Sequence, residues 1–152
     1  FDVATFVSMG AAQLGICGND VLQEFDYKNL YSPMDLKIGR CRLSIAGLKN
    51  CRKYQNESHV RVATKYVNLT KSHFAQKATQ AECIKLNGSI ELAPKLGICD
   101  FIIDLVSTGE TLKANNMEEL EVIMQVSSRL IINKQSYKTM KKDINNIVGV
   151  FN

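Results

Sequence analysis

Residues 59–116 alternate between short apolar runs and helical segments, and this alternation constrains the fold more than any other feature of the chain. Strands that alternate with helices form βαβ units, which place a parallel sheet between flanking helices. The segment therefore predicts a small α/β lobe. The predicted elements, in chain order, are a strand at 59–65, a helix at 68–78, a strand at 83–86, a short helix at 91–96, a strand at 98–105 and a helix that ends at 115–116.

The segments on either side of this lobe predict a second one, assembled from both ends of the chain. The fold class is therefore α/β and two-lobed, with a sheet and flanking helices in each lobe and a ligand cleft between them. The first lobe takes residues 1–50 and 125–152, the second takes 58–124, and the polar segment 47–58 is the linker. The predicted elements are a helix with an apolar stripe from Val3 to Leu14, strands at 14–17 and 42–46, a helix at 21–24, a loop around Tyr31–Pro33, one long strand at 121–132 and a last helix at 135–148.

Composition excludes several classes of protein. Hydrophobic residues make up 45% of the 152 residues and charged residues 22%, which is typical of a globular chain. No apolar run is long enough to span a bilayer, and the first residues carry no basic leader, so we expect a soluble, cytoplasmic protein. A net charge of +4 is too small and too evenly spread to indicate nucleic-acid binding.

The metal-binding residue types are scattered. The five cysteines form no Cys-x-x-Cys pair and lie mostly in apolar segments, so we expect reduced thiols. The two histidines, His59 and His73, are far apart in the sequence, which argues against a His-based metal site or catalytic triad.

The strongest local signal is the segment 102–111, in which an apolar strand delivers Asp104 and then turns into a helix. In open parallel sheets, ligands bind beyond the carboxyl ends of strands, and a helix start favours phosphate. Gly109 permits close backbone approach, and Asp104 can accept hydrogen bonds from ribose hydroxyls. An ordinary strand–turn–helix with a Ser/Thr cap explains the pattern equally well. A Gly turn at 15–20 and a carboxylate, Glu91, at a short helix start are weaker signals of the same kind.

Several motifs in one order resemble the ATP phosphoribosyltransferase family. They are AAQLGICGNDVL at 11–22, GRCRLSIA at 39–46, VATKYVNLT at 62–70, NGSIELAP at 87–94 and IIDLVSTGETLKANN at 102–116. The resemblance implies transfer of the phosphoribosyl group of 5-phosphoribosyl-1-pyrophosphate to N1 of ATP, the first step of histidine biosynthesis. It also implies Mg²⁺ that arrives with the pyrophosphate substrate, and no metal cluster supplied by the protein.

The same resemblance assigns roles to individual residues. It implies that Glu91 and Lys65 are catalytic and that Asp20, Tyr66 and Arg42 lie on the ATP side. Arg40 and Arg42 are candidates to bind anions, although a structural ion pair explains either arginine as well. The residues implied to bind phosphoribosyl pyrophosphate are Asp104, Ser107, Thr108, Gly109, Glu110 and Thr111.

The ends of the chain give two further expectations. The sequence opens inside a helical pattern without a cap, and the first strand and Lys-Gly-Arg turn of the family are not found. We therefore expect an N-terminally truncated chain that shows no turnover alone. The end of the chain resembles the short form of the family, which works in a hetero-oligomer with a regulatory subunit related to histidyl-tRNA synthetases. Val67 replaces the Pro that usually follows Lys-Tyr in this family.

Two alternatives remain open at this point. A non-catalytic, two-lobed binding protein for small anions has the same predicted architecture, which resembles that of periplasmic binding proteins. An inactive fragment is the second alternative. A nucleobase phosphoribosyltransferase is disfavoured, because that class places two consecutive acids before its loop and here Ile103 precedes Asp104.

Overall fold

The computed structural model describes residues 1–49 and 57–151. The chain forms two compact units. The first combines Phe1–Arg40 with Val126–Asn152, and the second is the continuous segment Cys41–Gln125. No helix in the described part of the chain is long and apolar enough to cross a membrane.

Eight strands and six α-helices are described, together with one short 3₁₀ turn at Ile90–Leu92. The first half of the described chain contains α1 (Asp2–Ser8), β1 (Leu14–Gly18), α2 (Asn19–Phe25), β2 (Leu30–Asp35), β3 (Cys41–Leu48), β4 (His59–Thr64) and α3 (Val67–Gln76). The second half contains β5 (Gln80–Lys85), β6 (Phe101–Val106), α4 (Glu110–Ala114), β7 (Met117–Val126), β8 (Ser128–Asn133), α5 (Lys134–Thr139) and α6 (Lys141–Val150).

The first unit is built on a three-stranded sheet in the order β1-β8-β2, in which both pairings are antiparallel. Its core contains Ala4, Val7, Val21, Leu30 and Ile131. The predicted apolar stripe from Val3 to Leu14 was wrong beyond the first two turns. Helix α1 ends at Ser8 because Gly10 adopts a left-handed φ of +79°, and Leu14 belongs to β1.

Strand β2 was not predicted, because Pro33 favoured a loop around residues 31–33. Proline is tolerated on an edge strand or at an irregularity in the pairing. Both conditions hold here, since β2 is an edge strand and its register against β8 shifts between Tyr31 and Met34.

The segment predicted as one long strand at 121–132 forms two strands in different sheets. The break lies at Ser127, whose N–H donates to the Asn19 side chain at 2.9 Å and whose carbonyl accepts from the Asn19 N–H at 3.1 Å. Because both backbone groups of Ser127 are satisfied by Asn19, neither ladder includes this residue. The predicted last helix is likewise interrupted, at Met140, whose φ of −122° is not helical.

The second unit contains a five-stranded sheet in the order β5-β4-β6-β3-β7. Strand β4 pairs in parallel with β5 and β6, as the βαβ pattern predicted, but β3 pairs antiparallel with β6, so the sheet is mixed. The structure also places the boundary between units differently from the predicted one, which assigned residues 1–50 to the first lobe. Strand β3 pairs inside the second unit, and its residues therefore belong there. Residues 50–56 of the predicted linker lie outside the described residues.

The second unit's core lies along the three inner strands, β4, β6 and β3. Leu43, Ile45, Val62 and Ile103 are completely buried. The antiparallel register places Arg42 opposite Val106, so the first residues of β3 lie beside the last residues of β6, at one end of the strands. The parallel register places Thr64 opposite Ile103, so β4 ends on the same side of the sheet as β6.

The four described cysteines are free thiols, and Cys51 lies outside the described residues.

Candidate active site

The segment after β6 forms a tight loop from Ser107 to Gly109, and α4 follows it. Gly109 has a φ of +80°, a left-handed conformation that favours glycine. The Thr108 hydroxyl accepts a long hydrogen bond from the Glu110 N–H at 3.4 Å. The predicted strand–turn–helix is therefore present, with the hydroxyl side chains of Ser107 and Thr108 exposed on the loop.

A cavity of about 240 Å³ lies beside this loop. Two carboxylates contribute to its lining, Asp104 from β6 and Glu91 from the 3₁₀ turn. The loop contributes Ser107, Thr108 and Gly109, and Thr111 lines the cavity from the first turn of α4. Of the predicted loop residues that the structure describes, Glu110 alone is not among the lining residues. The cavity therefore combines hydroxyls, a close-approach glycine and acidic side chains, which suits a sugar phosphate.

Asp104 sits where β6 meets the cavity and is half-buried. Its Oδ1 accepts from the N–H of Leu105 at 2.8 Å, which fixes the orientation of the carboxylate. The Lys65 ammonium lies 3.9 Å from the same oxygen, at the edge of ion-pair distance. Lys65 also lies over the Tyr66 ring, 5.2 Å from its centroid, a cation–π arrangement. Lys65 and Asp104, predicted from separate motifs, are thus brought together.

Thr64 explains why Lys65 leaves β4 at this point. The Thr64 hydroxyl is completely buried and donates to the Ile103 carbonyl at 2.9 Å. The same oxygen accepts from the Tyr66 N–H at 2.9 Å, which turns the chain from β4 toward α3. The Tyr66 side chain is wholly buried, and its ring provides the surface over which the Lys65 ammonium lies. Its predicted place on the ATP side stays a prediction.

Arg42 forms a structural ion pair, the alternative that the sequence left open, with a partner that the sequence did not reveal. Its Nε and Nη2 donate to the two carboxylate oxygens of Glu119, each at 2.6 Å, and its Nη1 donates to the Ser107 carbonyl at 3.0 Å. The Ser44 hydroxyl donates to the same carboxylate at 2.6 Å. The hydrogen bond from Arg42 is the main reason that the pKa of Glu119 lies below its ordinary value, and the same bond raises the pKa of Arg42.

Glu119 and Ser44 were missed because neither belongs to a recognisable motif. Glu119 lies on β7, 77 residues from Arg42, and only the sheet order places β7 beside β3. The alternation of β7 offered a weak signal, since a glutamate that this alternation places on a half-buried face needs a partner.

Asp20 lies in the other unit, at the start of α2, and is 4% exposed. Its predicted place on the ATP side therefore stays a prediction. Among residues 1–49 and 57–151, no group of three or more His, Cys, Asp or Glu side chains is arranged to hold a metal ion.

The sequence is similar along its whole length to one known family of proteins. A family model described as HisG: ATP phosphoribosyltransferase matches residues 1–152. The chain is 54% identical to the ATP phosphoribosyltransferase of Paramagnetospirillum magneticum, over 99% of this chain and 70% of that relative. The chain belongs to the ATP phosphoribosyltransferase family.

Members of the ATP phosphoribosyltransferase family carry out the first step of histidine biosynthesis, and this chain is a transferase of that type. A solved structure of the ATP phosphoribosyl transferase (HisG:HisZ) complex from Thermotoga maritima matches with a TM-score of 0.89 and 35% identity, over 99% of this chain and 73% of that one. That protein is a complex of two kinds of chain.

The α/β fold also occurs outside ATP phosphoribosyltransferases. The substrate-binding protein of an amino-acid ABC transporter matches with a TM-score of 0.60 and 14% identity, over 91% of this chain and 70% of that one. At this identity the likeness concerns the fold alone. It confirms the predicted fold class, a periplasmic-binding-protein-like α/β architecture with a sheet and helices in each part.

Proposed function

We propose that this ATP phosphoribosyltransferase chain binds phosphoribosyl pyrophosphate with the loop Ser107–Thr111 and the Asp104 carboxylate. The observation that carries the proposal is the cavity of about 240 Å³, which the loop hydroxyls, Gly109 and two carboxylates line together. Loop hydroxyls and backbone N–H groups would bind the 5-phosphate, and Asp104 would accept hydrogen bonds from the ribose hydroxyls. The volume suits a ribose phosphate, which is smaller than a typical drug-sized ligand.

The reaction is a displacement at the anomeric carbon. The lone pair of adenine N1 forms a bond to C1 of the ribose, and the C1–O bond to pyrophosphate breaks with its electron pair on the leaving group. Positive charge develops on the ribosyl group, so positioning and charge stabilisation carry the catalysis. No covalent nucleophile from the protein is required.

We propose that the two predicted catalytic residues stabilise the opposite charges that develop on the ribosyl group and on the leaving pyrophosphate. Glu91 lines the cavity and would stabilise the cationic ribosyl group, whereas the Lys65 ammonium would stabilise negative charge on the leaving pyrophosphate. The closeness of Lys65 to Asp104, 3.9 Å, supports a place for it at this edge of the cavity. In a version of the enzyme that turns over, Glu91→Gln is expected to lower kcat by about tenfold or more with little change in substrate affinity, because it would remove a charge that acts only in the transition state.

Mg²⁺ would enter as part of the pyrophosphate substrate and neutralise charge on the leaving group. Magnesium typically binds through one or two carboxylates and substrate phosphates. Asp104 and Glu91 both line the cavity, so the donor set fits such an ion.

A calorimetric titration tests the binding proposal. The chain is expected to bind phosphoribosyl pyrophosphate in the presence of Mg²⁺, and Asp104→Asn should weaken binding about ten- to a hundredfold, the effect of a lost charge-assisted hydrogen bond. Asp100→Asn is the matched control, since Asp100 precedes the same strand at its other end and pairs with Arg61. Preference for an amino acid or a simple oxyanion would instead favour a binding protein without chemistry.

We also infer a partner. The Thermotoga maritima chain, 35% identical, is part of a HisG:HisZ complex, and a regulatory subunit of the same type, related to histidyl-tRNA synthetases, would bind this chain. Because ATP is the acceptor substrate, the proposal places the enzyme in the cytoplasm.

A further inference from the structure

The Arg42 guanidinium joins three elements of the second unit. Arg42 lies on β3, and its partners are Glu119 on β7 and the first loop residue after β6, Ser107. The geometry is bidentate toward Glu119, which fixes the plane of the guanidinium. With the plane fixed, Nη1 donates one of its two N–H groups to the Ser107 carbonyl, 3.0 Å away.

Holding that carbonyl determines the direction of the next N–H. In a trans peptide the carbonyl and the following N–H point in opposite directions. The N–H of Thr108 therefore points away from Arg42. Ser107 and Thr108 both line the 240 Å³ cavity, whereas Arg42 and Glu119 are not among the described residues that line it. Arg42 thus lies outside this cavity, and together with Glu119, Thr108 and Gly109 it lines a neighbouring cavity of about 520 Å³.

The Ser44 hydroxyl also holds the Glu119 carboxylate in place. Ser44 is completely buried on β3, and its hydroxyl donates to Glu119 Oε1 at 2.6 Å, the oxygen that also accepts from Arg42 Nε at 2.6 Å. The carboxylate of Glu119 consequently has two partners that restrict its rotation. A half-buried ion pair with three charge-assisted hydrogen bonds is more rigid than an exposed one.

We propose that Arg42 and Glu119 are positioning residues for the phosphate-binding loop: Glu119 orients the guanidinium, and the guanidinium holds the Ser107 carbonyl. The inference rests on the proposed binding of phosphoribosyl pyrophosphate by that loop. It gives Arg42 a role different from the direct contact with ATP that the sequence predicted. A residue that touched ATP would affect ATP binding, whereas a residue that sets the loop affects the phosphoribosyl substrate.

Calorimetry on the full chain with Mg²⁺ and phosphoribosyl pyrophosphate, and separately with ATP, distinguishes these roles. Arg42→Gln should weaken binding of phosphoribosyl pyrophosphate about tenfold, and Glu119→Gln somewhat less, since the amide still accepts one bond. The double variant should bind no more weakly than Arg42→Gln alone, because both changes remove one coupled arrangement. Binding of ATP should change less than about twofold.

Arg61→Gln is the matched control. Arg61 lies on the same sheet and forms a comparable pair with Asp100, at 3.0 Å, at the opposite end of β6. It should leave the affinity for phosphoribosyl pyrophosphate unchanged. If Arg42→Gln does not fold, Arg42→Lys tests the same network, because an ammonium keeps the charge but cannot make the bidentate pair with Glu119; the expected loss is about two- to threefold.

The outcomes separate the two proposals. If the unaltered chain does not bind phosphoribosyl pyrophosphate, the proposed function itself is wrong. If it binds and the Arg42 and Glu119 variants bind equally well, only the positioning role is wrong. A loss of ATP affinity larger than the loss for phosphoribosyl pyrophosphate, or additive losses in the double variant, would also overturn that role.

Discussion

The Asp20 carboxylate is almost completely buried, and its position explains properties of two neighbouring residues. A Cβ atom on Gly18 would collide with Asp20 Oδ1, so any larger residue there would require this carboxylate to move. Burial, and then the charge of Asp20, raise the pKa of the Cys17 thiol to about 11. The Gly-Asn-Asp turn that the sequence suggested as a ligand site thus has a clear structural role.

Cys17 should consequently react slowly with iodoacetamide. A pKa of about 11, compared with an ordinary 9.0, lowers the thiolate fraction at pH 8 about a hundredfold. Mass spectrometry of the alkylated peptides, with a short cysteine peptide as reference, measures the rate. Asp20→Asn should speed the reaction, because it removes a charge that disfavours the thiolate. Equal rates for Cys17 and the reference peptide would contradict the burial described here.

The stabilising effect of Glu119 on the folded chain should be lost in acid. Hydrogen bonding to Arg42 lowers the pKa of Glu119 below the ordinary 4.5, so the folded chain holds the charged carboxylate more strongly than the unfolded chain does. The resulting stabilisation is fully present above about pH 4.5 and is lost as pH falls through the folded pKa. Urea unfolding from pH 7 to pH 3 should show Glu119→Gln about 1–2 kcal/mol less stable at pH 7, with the difference shrinking below pH 4.5. A difference that is constant with pH would show that the ion pair is not its cause.

At the scale of elements, the close approach of α1 to β1 depends on a glycine. A Cβ atom on Gly15 would lie 2.8 Å from Val3 Cγ1 and 2.9 Å from Val7 Cγ2, both on α1. Gly15→Ala should therefore force α1 outward and destabilise the chain by about 1–3 kcal/mol in chemical denaturation.

Gly149→Ala provides the comparison for this substitution. Gly149 lies in α6, and a Cβ there meets no atom within 4 Å. Alanine favours a helix more than glycine does, so this variant should be neutral or more stable by up to about 1 kcal/mol. Equal destabilisation by both substitutions would argue against the tight packing of α1 on β1.

Elements defined by local patterns were predictable, and those defined by distant partners were not. The loop from Asp104 to Thr111 could be found because strand, turn and helix signals follow one another in the sequence. The break at Ser127 could not, since it depends on backbone bonds to Asn19, 108 residues away. The antiparallel placement of β3 beside β6 was missed for the same reason, and with it the Arg42–Glu119 pair.

At the scale of the whole molecule, the inferred complex with a HisZ-type subunit can be tested directly. The chain co-expressed with such a subunit should elute as a larger species than the chain alone, and light scattering would give the stoichiometry. Arg61→Gln is expected to leave the fold and the loop intact, so its complex should elute at the same volume as the complex of the unaltered chain. Separate elution of the two chains at micromolar concentration would contradict the inference drawn from the Thermotoga maritima complex.

Strand order in the first unit has a consequence for the time at which each part of the chain can fold. Strand β8 lies between β1 and β2, and neither of these pairs with the other. During synthesis the second unit is complete once Gln125 has left the ribosome, whereas β1 and β2 wait for residues 128–133 before they have a partner. The unit that carries the phosphate-binding loop can therefore fold first, and the N-terminal strands are the last to gain their hydrogen bonds.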